Sequence, residues 1–219
     1  QIKEALDKKQ LVLYYQPQIN ILTGDVVGAE ALIRWQHPER GLIFPDDFLP
    51  IIEHTDLIIE LGIWVIQQAC QQLQHWNALG FNLKLSVNIA CRHIQHPHFV
   101  NDLLDILAVY PGVQPEQLIL EITESAAMQN IDSAKAILQS CHGHKVRIAL
   151  DDFGTGYSSL TYLRHLPVSL LKIDKSFVID MLEDSEDKAI VEGIISLANI
   201  FKLHIVAEGV ETLAHLNTL

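Results

Sequence analysis

Two adjacent carboxylates, Asp151 and Asp152, close the apolar run Val146-Arg147-Ile148-Ala149-Leu150 and open the segment Phe153-Gly154-Thr155-Gly156-Tyr157-Ser158-Ser159. The apolar run reads as a buried strand, and the glycines with the Ser-Ser pair read as a turn into a helix. Both acids therefore stand at the C-terminal tip of a core strand. An ionised carboxylate taken out of water without a partner costs several kcal/mol, so a pair in that position calls for a cation. Adjacent acids can serve two divalent ions about 4 Å apart, an arrangement used in phosphoryl transfer.

Polar residues recur at the corresponding place in the other strands: Glu30 and Arg34 in the second, Asn88 in the third, Glu121 in the fourth, Lys172 and Asp174 in the sixth, Glu208 in the seventh. Carboxylates with an Asn oxygen are hard ligands that suit Mg²⁺ or Mn²⁺, and the absence of a Cys/His cluster at metal spacing argues against a structural zinc. Any one of these acids alone is more often a helix cap or a surface charge. Their recurrence at strand ends is what singles them out. Lys172 between Leu171 and Ile173 would usually snorkel to solvent; on an inward strand position beside carboxylates it has a catalytic or charge-neutralising role.

The elements that must position these residues follow from periodicity. Leu11 to Gln16 reads as a strand, Asn20 to Asp25 as a loop, and Val26 to Trp35 as a second strand, a connection short enough for an antiparallel hairpin. Alternation puts Gly28, Glu30, Leu32 and Arg34 on one face and Ala29, Ala31 and Ile33 on the other. Pro38, Gly41 and Pro45 mark turns, and Leu57 to Leu79 has helical spacing closed by Gly80. Strands Asn82–Asn88, Gln117–Thr123, Lys145–Asp151, Ser169–Asp174 and Leu203–Glu208 then alternate with helices near Phe99–Val109, Ile131–Cys141, Ser158–Leu166 and Asp187–Phe201, with a partial helix from Glu211. That alternation calls for an α/β fold with a parallel sheet and right-handed crossovers, and in a barrel of this kind the strands' C-terminal ends meet at one mouth. Seven strands are countable where a closed barrel has eight, so residues 1–219 are expected to form a single barrel that stops before its last strand.

Composition removes several classes of function. With 49 % hydrophobic and 19 % charged residues, the chain is expected to pack a globular core. The apolar stretch Leu57 to Ile66 is broken by Glu60 and is too short to span a bilayer, and no signal peptide is visible. The sequence begins at Gln1 rather than Met, as expected of an excerpt of a longer protein. Three cysteines in apolar surroundings, Cys70, Cys91 and Cys141, read as reduced core thiols in a cytosolic compartment. A net charge of −12 argues against binding polymeric nucleic acid, yet allows a small phosphate ligand where metal ions reverse the local field.

Together these residues resemble the EAL-domain cyclic-di-GMP phosphodiesterases. The resemblance runs from Tyr15-Gln16-Pro17 through Glu30-Ala31-Leu32-Ile33-Arg34-Trp35, Phe48-Leu49-Pro50, Ser86-Val87-Asn88, Glu121-Ile122-Thr123-Glu124-Ser125, Asp151 to Leu160, Leu171-Lys172-Ile173-Asp174 and Val206-Ala207-Glu208-Gly209-Val210-Glu211. A lone Glu-Ala-Leu is common by chance; the ordered set is not. It implies a modified TIM (β/α)8 barrel with an antiparallel first strand, here without the last strand and the Gln-Gly-Tyr segment whose glutamine belongs to the family's active site. It also implies hydrolysis of cyclic-di-GMP to linear pGpG with two Mg²⁺ or Mn²⁺ ions.

By that resemblance Glu30, Asn88, Glu121 and Asp151 hold one metal, Asp151 and Asp152 hold the second, and Glu208 supports through water. Lys172 would orient or deprotonate the attacking water, with Glu208 and Asp152 beside it in the catalytic set. Arg34 would hold a substrate phosphate oxygen, and Gln16 and Asp174 would contact substrate. Glu124, with Glu211, would brace the loop Phe153 to Ser159, which in the family couples dimer contacts to metal occupancy. The implied partners are cyclic-di-GMP, a second copy in a homodimer, and sensory or GGDEF-type domains of the parent protein. The domain itself is expected in the cytoplasm without membrane contact, whether or not the parent is tethered. His54-Thr55-Asp56 departs from the family's Glu-Thr-Gly and is read as loop variation.

Two other classes stand beside the enzyme. One is a catalytically silent cyclic-di-GMP receptor, disfavoured because every metal-ligand position up to Leu219 is filled. The other is a protein-interaction module, disfavoured by the intact Arg34 and Lys172. His93, His96 and His98, with Pro97 among them, read as solvated loop residues, and Trp64 and Trp76 as core or interface positions. Tyr14 and Tyr15 are adjacent in a strand, so at most one faces inward.

Overall fold

Runs rich in β-branched, aliphatic and aromatic residues draw Leu11–Ile19 and Val26–His37 into two long strands, β1 and β2, paired antiparallel from Leu11↔Trp35 to Ile19↔Val26. Asn20 closes the loop between them: its side chain accepts from the N–H groups of Leu22 and Thr23, while Gly24 turns with φ +75°. The expected hairpin is therefore present, with longer strands than the periodicity marked. The computed structural model describes residues 1–128, 131–155, 163, 164 and 166–219. These form two compact units, residues 1–120 with 144–146, and residues 121–143 with 147–219.

The first unit begins with α1 (Ile2–Asp7) and β1, β2 and β3 (Gly41–Ile43), then α2 (Pro45–Ile52), α3 (Leu57–Ala78) and β4 (Lys84–Asn88). It continues through α4 (Cys91–Ile94) and α5 (Phe99–Val109) to the start of β5 (Leu118–Thr123). β2 pairs parallel with β4, placing Glu30 opposite Ser86. Apolar residues at helical spacing bury one stripe of α3, among them Ile59, Ile66, Cys70 and Leu73. Each fully buried aliphatic side chain contributes roughly 1.5–3 kcal/mol. Gly80, with φ +85°, turns the chain out of the helix. The segment from Pro38 to Pro45, read as turns, instead yields β3, paired antiparallel to β2, and starts α2. Pro45 suits the first turn of α2 because the N–H it lacks would have no helical partner there. With β3, which pairs with β2 off the path of the main sheet, the described residues hold eight strands, one more than the sequence count.

His93 also departs from expectation. It lies on α4 and is 1 % exposed, edge-on to the Phe99 ring with centroids 4.9 Å apart. Gly62 of α3 makes room for it: a Cβ there would stand 2.1 Å from His93 Nδ1. Short helices such as α4 span too few residues to show a period, so the sequence gives no helical signal there. His96 is half-buried and His98 exposed.

The second unit holds the end of β5, α6 (Glu124–Met128), α7 (Ile131–Gly143), β6 (Arg147–Phe153), β7 (Leu170–Ile173), α8 (Lys175–Asp180), α9 (Ser185–Phe201), β8 (His204–Ala207) and α10 (Leu213–Thr218). β6, β7 and β8 are parallel neighbours, as the strand–helix alternation requires. α9 starts before the expected Asp187 because Asp184 caps it, accepting from the Glu186 N–H at 2.7 Å. The helix expected near Ser158–Leu166 lies mostly outside the described residues. None of the three cysteines is in a disulfide; Cys70 and Cys141 are core residues as expected, whereas Cys91 is only half-buried, and burial pushes Cys70 up to about 12 and Cys141 up to about 11. Among the described residues no helix is long and apolar enough to cross a membrane.

Candidate active site

Lys172 sits in the middle of β7, where Leu171 and Ile173 point one way and the lysine the other. It is 1 % exposed. A buried ammonium is tolerable only when its N–H groups are paired, and here three acids meet it: Glu121 Oε2 at 2.7 Å, Asp151 Oδ2 at 2.9 Å and Glu208 Oε1 at 2.7 Å. They come from β5, β6 and the residue after β8. The Glu208 N–H donates to the Ile173 carbonyl at 3.1 Å, which extends the β7–β8 pairing and fixes Glu208 beside Lys172. Three carboxylates around one ammonium leave surplus negative charge on oxygen donors, the chemistry that a hard divalent cation fits. Among the described residues no three His, Cys, Asp or Glu side chains are themselves gathered as a metal cage; the cation amid these acids is the lysine.

A bulge presents Asp152. Leu150 faces Leu171 and Phe153 faces Ile173, so β6 has one more residue than β7 between those pairs. Asp152 takes the left-handed conformation, φ +53°, and its N–H donates to Asp151 Oδ1 at 2.9 Å. Strict alternation would send neighbouring side chains to opposite faces; an extra residue re-aims one of them. Burial pushes the Asp152 carboxyl up, the charges of Asp151 and Asp174 push the same way, and Lys172 opposes them. Asp174 caps α8, accepting from the Ser176 N–H at 2.9 Å and from its hydroxyl. Burial alone would raise Asp174, but the Ser176 bonds and Lys175 outweigh it and hold it low.

In the first unit Asn88 Nδ2 donates to Glu30 Oε1 at 2.8 Å. Gln16 is opposite Glu30 in the β1–β2 ladder, and Arg34 shares Glu30's face of β2 by the two-residue period. The Ser86 hydroxyl, also beside Glu30, is buried without a hydrogen-bond partner among the described residues. The structure thus gathers Glu121, Asp151, Asp152, Lys172, Asp174 and Glu208 in one unit, and Gln16, Glu30, Arg34 and Asn88 in the other.

Glu124 is 4 % exposed, and its Oε2 has no hydrogen-bond partner among the described residues. It does not cap α6: the Thr123 hydroxyl accepts from the Ala126 N–H at 3.3 Å. Nor does it hold Thr155, whose hydroxyl donates to the Asp152 carbonyl at 2.8 Å. Residues 156–159 of the loop that Glu124 is expected to brace, Ser158 among them, lie outside the described residues. The Glu211 side chain is exposed and its N–H donates to His215 Nδ1 at 3.3 Å. Sequence reasoning missed the bulge, for which Gly154 at φ +102° was the available signal, and the aromatic neighbours of Arg34, for which there was none.

The EAL domain family matches residues 1–219. The chain is 44 % identical over 212 residues to a Pseudomonas aeruginosa protein named bifunctional diguanylate cyclase/cyclic di-GMP phosphodiesterase MucR, covering 96 % of this chain and 31 % of that one. It is 39 % identical over 213 residues to the cyclic di-GMP phosphodiesterase NbdA of the same organism, covering 97 % of this chain and 27 % of NbdA. The chain therefore spans about a third or less of these relatives. Among solved structures it is similar to the PaMucR phosphodiesterase in its c-di-GMP complex, with TM-score 0.96 at 44 % identity over 100 % of this chain and 88 % of that one. It is also similar to the EAL enzyme Bd1971 in its cAMP- and cyclic-di-GMP-bound form, with TM-score 0.93 at 36 % identity over 100 % and 60 % of the respective chains. Motif order, fold and sequence identity agree: the chain belongs to the EAL domain family.

Proposed function

We propose that the protein hydrolyses cyclic-di-GMP to linear pGpG. The observation that carries this reading is the Lys172 ammonium held by Glu121 of β5, Asp151 of β6 and Glu208 just after β8, in a chain whose relatives are named for that substrate. Glu121, Asp151 and Asp152 are residues that would hold Mg²⁺ or Mn²⁺, and Glu30 and Asn88 are the further ligands that the family resemblance names. When bound, such ions supply positive charge that offsets the phosphate and favours attack by water.

The chain's own residues do the rest. Glu208 is the most open of the three acids, 27 % exposed against 0 % and 12 % for Glu121 and Asp151, so it is the one within reach of water and takes the proton. Lys172 fixes the direction of that carboxylate by its bond to it. Arg34 and Gln16 hold the nucleotide, Arg34 through a phosphate oxygen. The homodimer belongs to the same reading, with Glu124 as the group that connects the interface to the segment after Asp152.

The test is the conversion of cyclic-di-GMP to pGpG by the full-length protein after chelation and after return of Mg²⁺, Mn²⁺ or Ca²⁺. Turnover should vanish with chelator and return with Mg²⁺ or Mn²⁺, and poorly with the larger Ca²⁺. Undiminished turnover in excess chelator would overturn the metal requirement, and tight binding without cleavage under every metal would leave a receptor.

A further inference from the structure

Arg34 projects from the face of β2 that carries Glu30, and its Nη1 donates to the Ile33 carbonyl at 2.8 Å. In a chain of net charge −12 its guanidinium forms no ion pair among the described residues. Its neighbours are aromatic instead. The Arg34 Cζ lies 4.9 Å from the centroid of the Phe44 ring and 5.8 Å from that of Tyr14. Both residues are open to solvent, 51 % and 47 % exposed, so burial in the core does not explain where they stand.

Backbone geometry fixes both rings. Ile43 of β3 pairs with Trp35, which brings the next residue, Phe44, alongside Arg34. Phe44 is extended, φ −87° and ψ 158°, as the residue before Pro45 is required to be. Tyr14 pairs with Leu32 while Val12 pairs with Arg34, so Tyr14 is the diagonal neighbour of Arg34 across the ladder. A carboxylate in their place would also order the guanidinium, but it would compete with an incoming phosphate for the same N–H fork. An aromatic face attracts the cation through its quadrupole and leaves the edge N–H groups available.

We propose that Phe44, with Tyr14, is a positioning residue for Arg34, ordering its guanidinium for a phosphate oxygen of the cyclic dinucleotide. This rests on the phosphodiesterase reading above only in taking that nucleotide as the ligand. Ordering the side chain in advance removes part of the entropy lost on binding, so the effect belongs to substrate affinity rather than to the chemical step.

The experiment measures KM, kcat and melting temperature for cyclic-di-GMP hydrolysis by the full-length protein with Phe44→Ala, Phe44→Leu, Phe44→Tyr and Phe44→Trp. A second series places mono-, di- and trifluorinated phenylalanine at position 44, which weakens the ring quadrupole stepwise at nearly constant shape. KM should rise about three- to tenfold in Phe44→Ala and Phe44→Leu with kcat changed less than about twofold, and recover in the Tyr and Trp variants. It should also climb with each added fluorine at unchanged melting temperature. A flat fluorine series, or full recovery by leucine, in an active wild type would overturn this inference alone. If the wild type binds the nucleotide without turnover, the same order is read from Kd and supports the inference. A wild type that neither binds nor cleaves cyclic-di-GMP overturns the inference together with the reading beneath it.

Discussion

The Lys172 ammonium has no water to turn to, and each acid that meets it leans on it in return. Removing the lysine leaves Glu121 and Asp151 buried beside one another without their cation. Lys172→Met should therefore cost about 3–5 kcal/mol in denaturant unfolding, and should lower kcat far more than it raises KM. An unchanged kcat with a raised KM would move Lys172 to the substrate-binding set. At Asp152 backbone and charge separate cleanly. Asparagine tolerates the left-handed conformation, whereas alanine at φ +53° costs about 1–2 kcal/mol. Asp152→Asn should keep wild-type stability and lose most turnover, while Asp152→Ala loses both; an active Asp152→Asn would remove this carboxylate from the chemistry.

At the scale of elements, α3 packs closely on α4 where Gly62 meets His93. A methyl group at residue 62 would overlap the imidazole, so Gly62→Ala should lose roughly 1–3 kcal/mol, and His93→Ala in the same chain should recover much of it. Independent, additive losses in the double variant would contradict the contact. The same burial, helped by the charge of His96, pushes His93 down to about 4 from its ordinary 6.5. Between those values the unfolded chain binds a proton that the folded chain refuses. Stability therefore falls as pH drops from 6.5 towards 4 and is insensitive to this group above 6.5. The loss is up to about 3 kcal/mol, and His93→Met should flatten the dependence when urea midpoints are compared across that range.

For the whole molecule, the question is how the segment after Asp152 answers to events elsewhere. Glu124 is the internal lead, a buried carboxylate that neither caps α6 nor bonds Thr155. Because Thr123 already supplies the cap, Glu124→Ala should change stability by no more than about 1 kcal/mol. If Glu124 connects the dimer interface to that segment, the variant should lose activity and sediment lighter than wild type. A fully active variant, or a wild type that is monomeric at working concentration, would end that connection.

The hydrophobic period of the chain specifies the strand–helix alternation, the antiparallel hairpin and the long α3, because periods of two and 3.6 survive over many residues without help from distant parts. Glu121, Asp151, Lys172 and Glu208, which the structure brings together, stood out in the sequence for a related reason: an acid or a lysine within or at the end of an apolar run is not placed there by the hydrophobic effect. Elements under two turns, such as α4 and α8, left no period, and the strand Gly41–Ile43 showed only its punctuation. Three things were decided by tertiary structure alone. The number of acids on Lys172 depends on the order of β5, β6, β7 and β8 in the sheet, which no local spacing encodes. The re-aiming of Asp152 depends on a register offset of one residue between β6 and β7, visible only once both strands are paired. The burial of His93 depends on a gap left by a glycine in another helix: the sequence shows a histidine in a polar segment that also carries His96, Pro97 and His98, and only packing takes its water away.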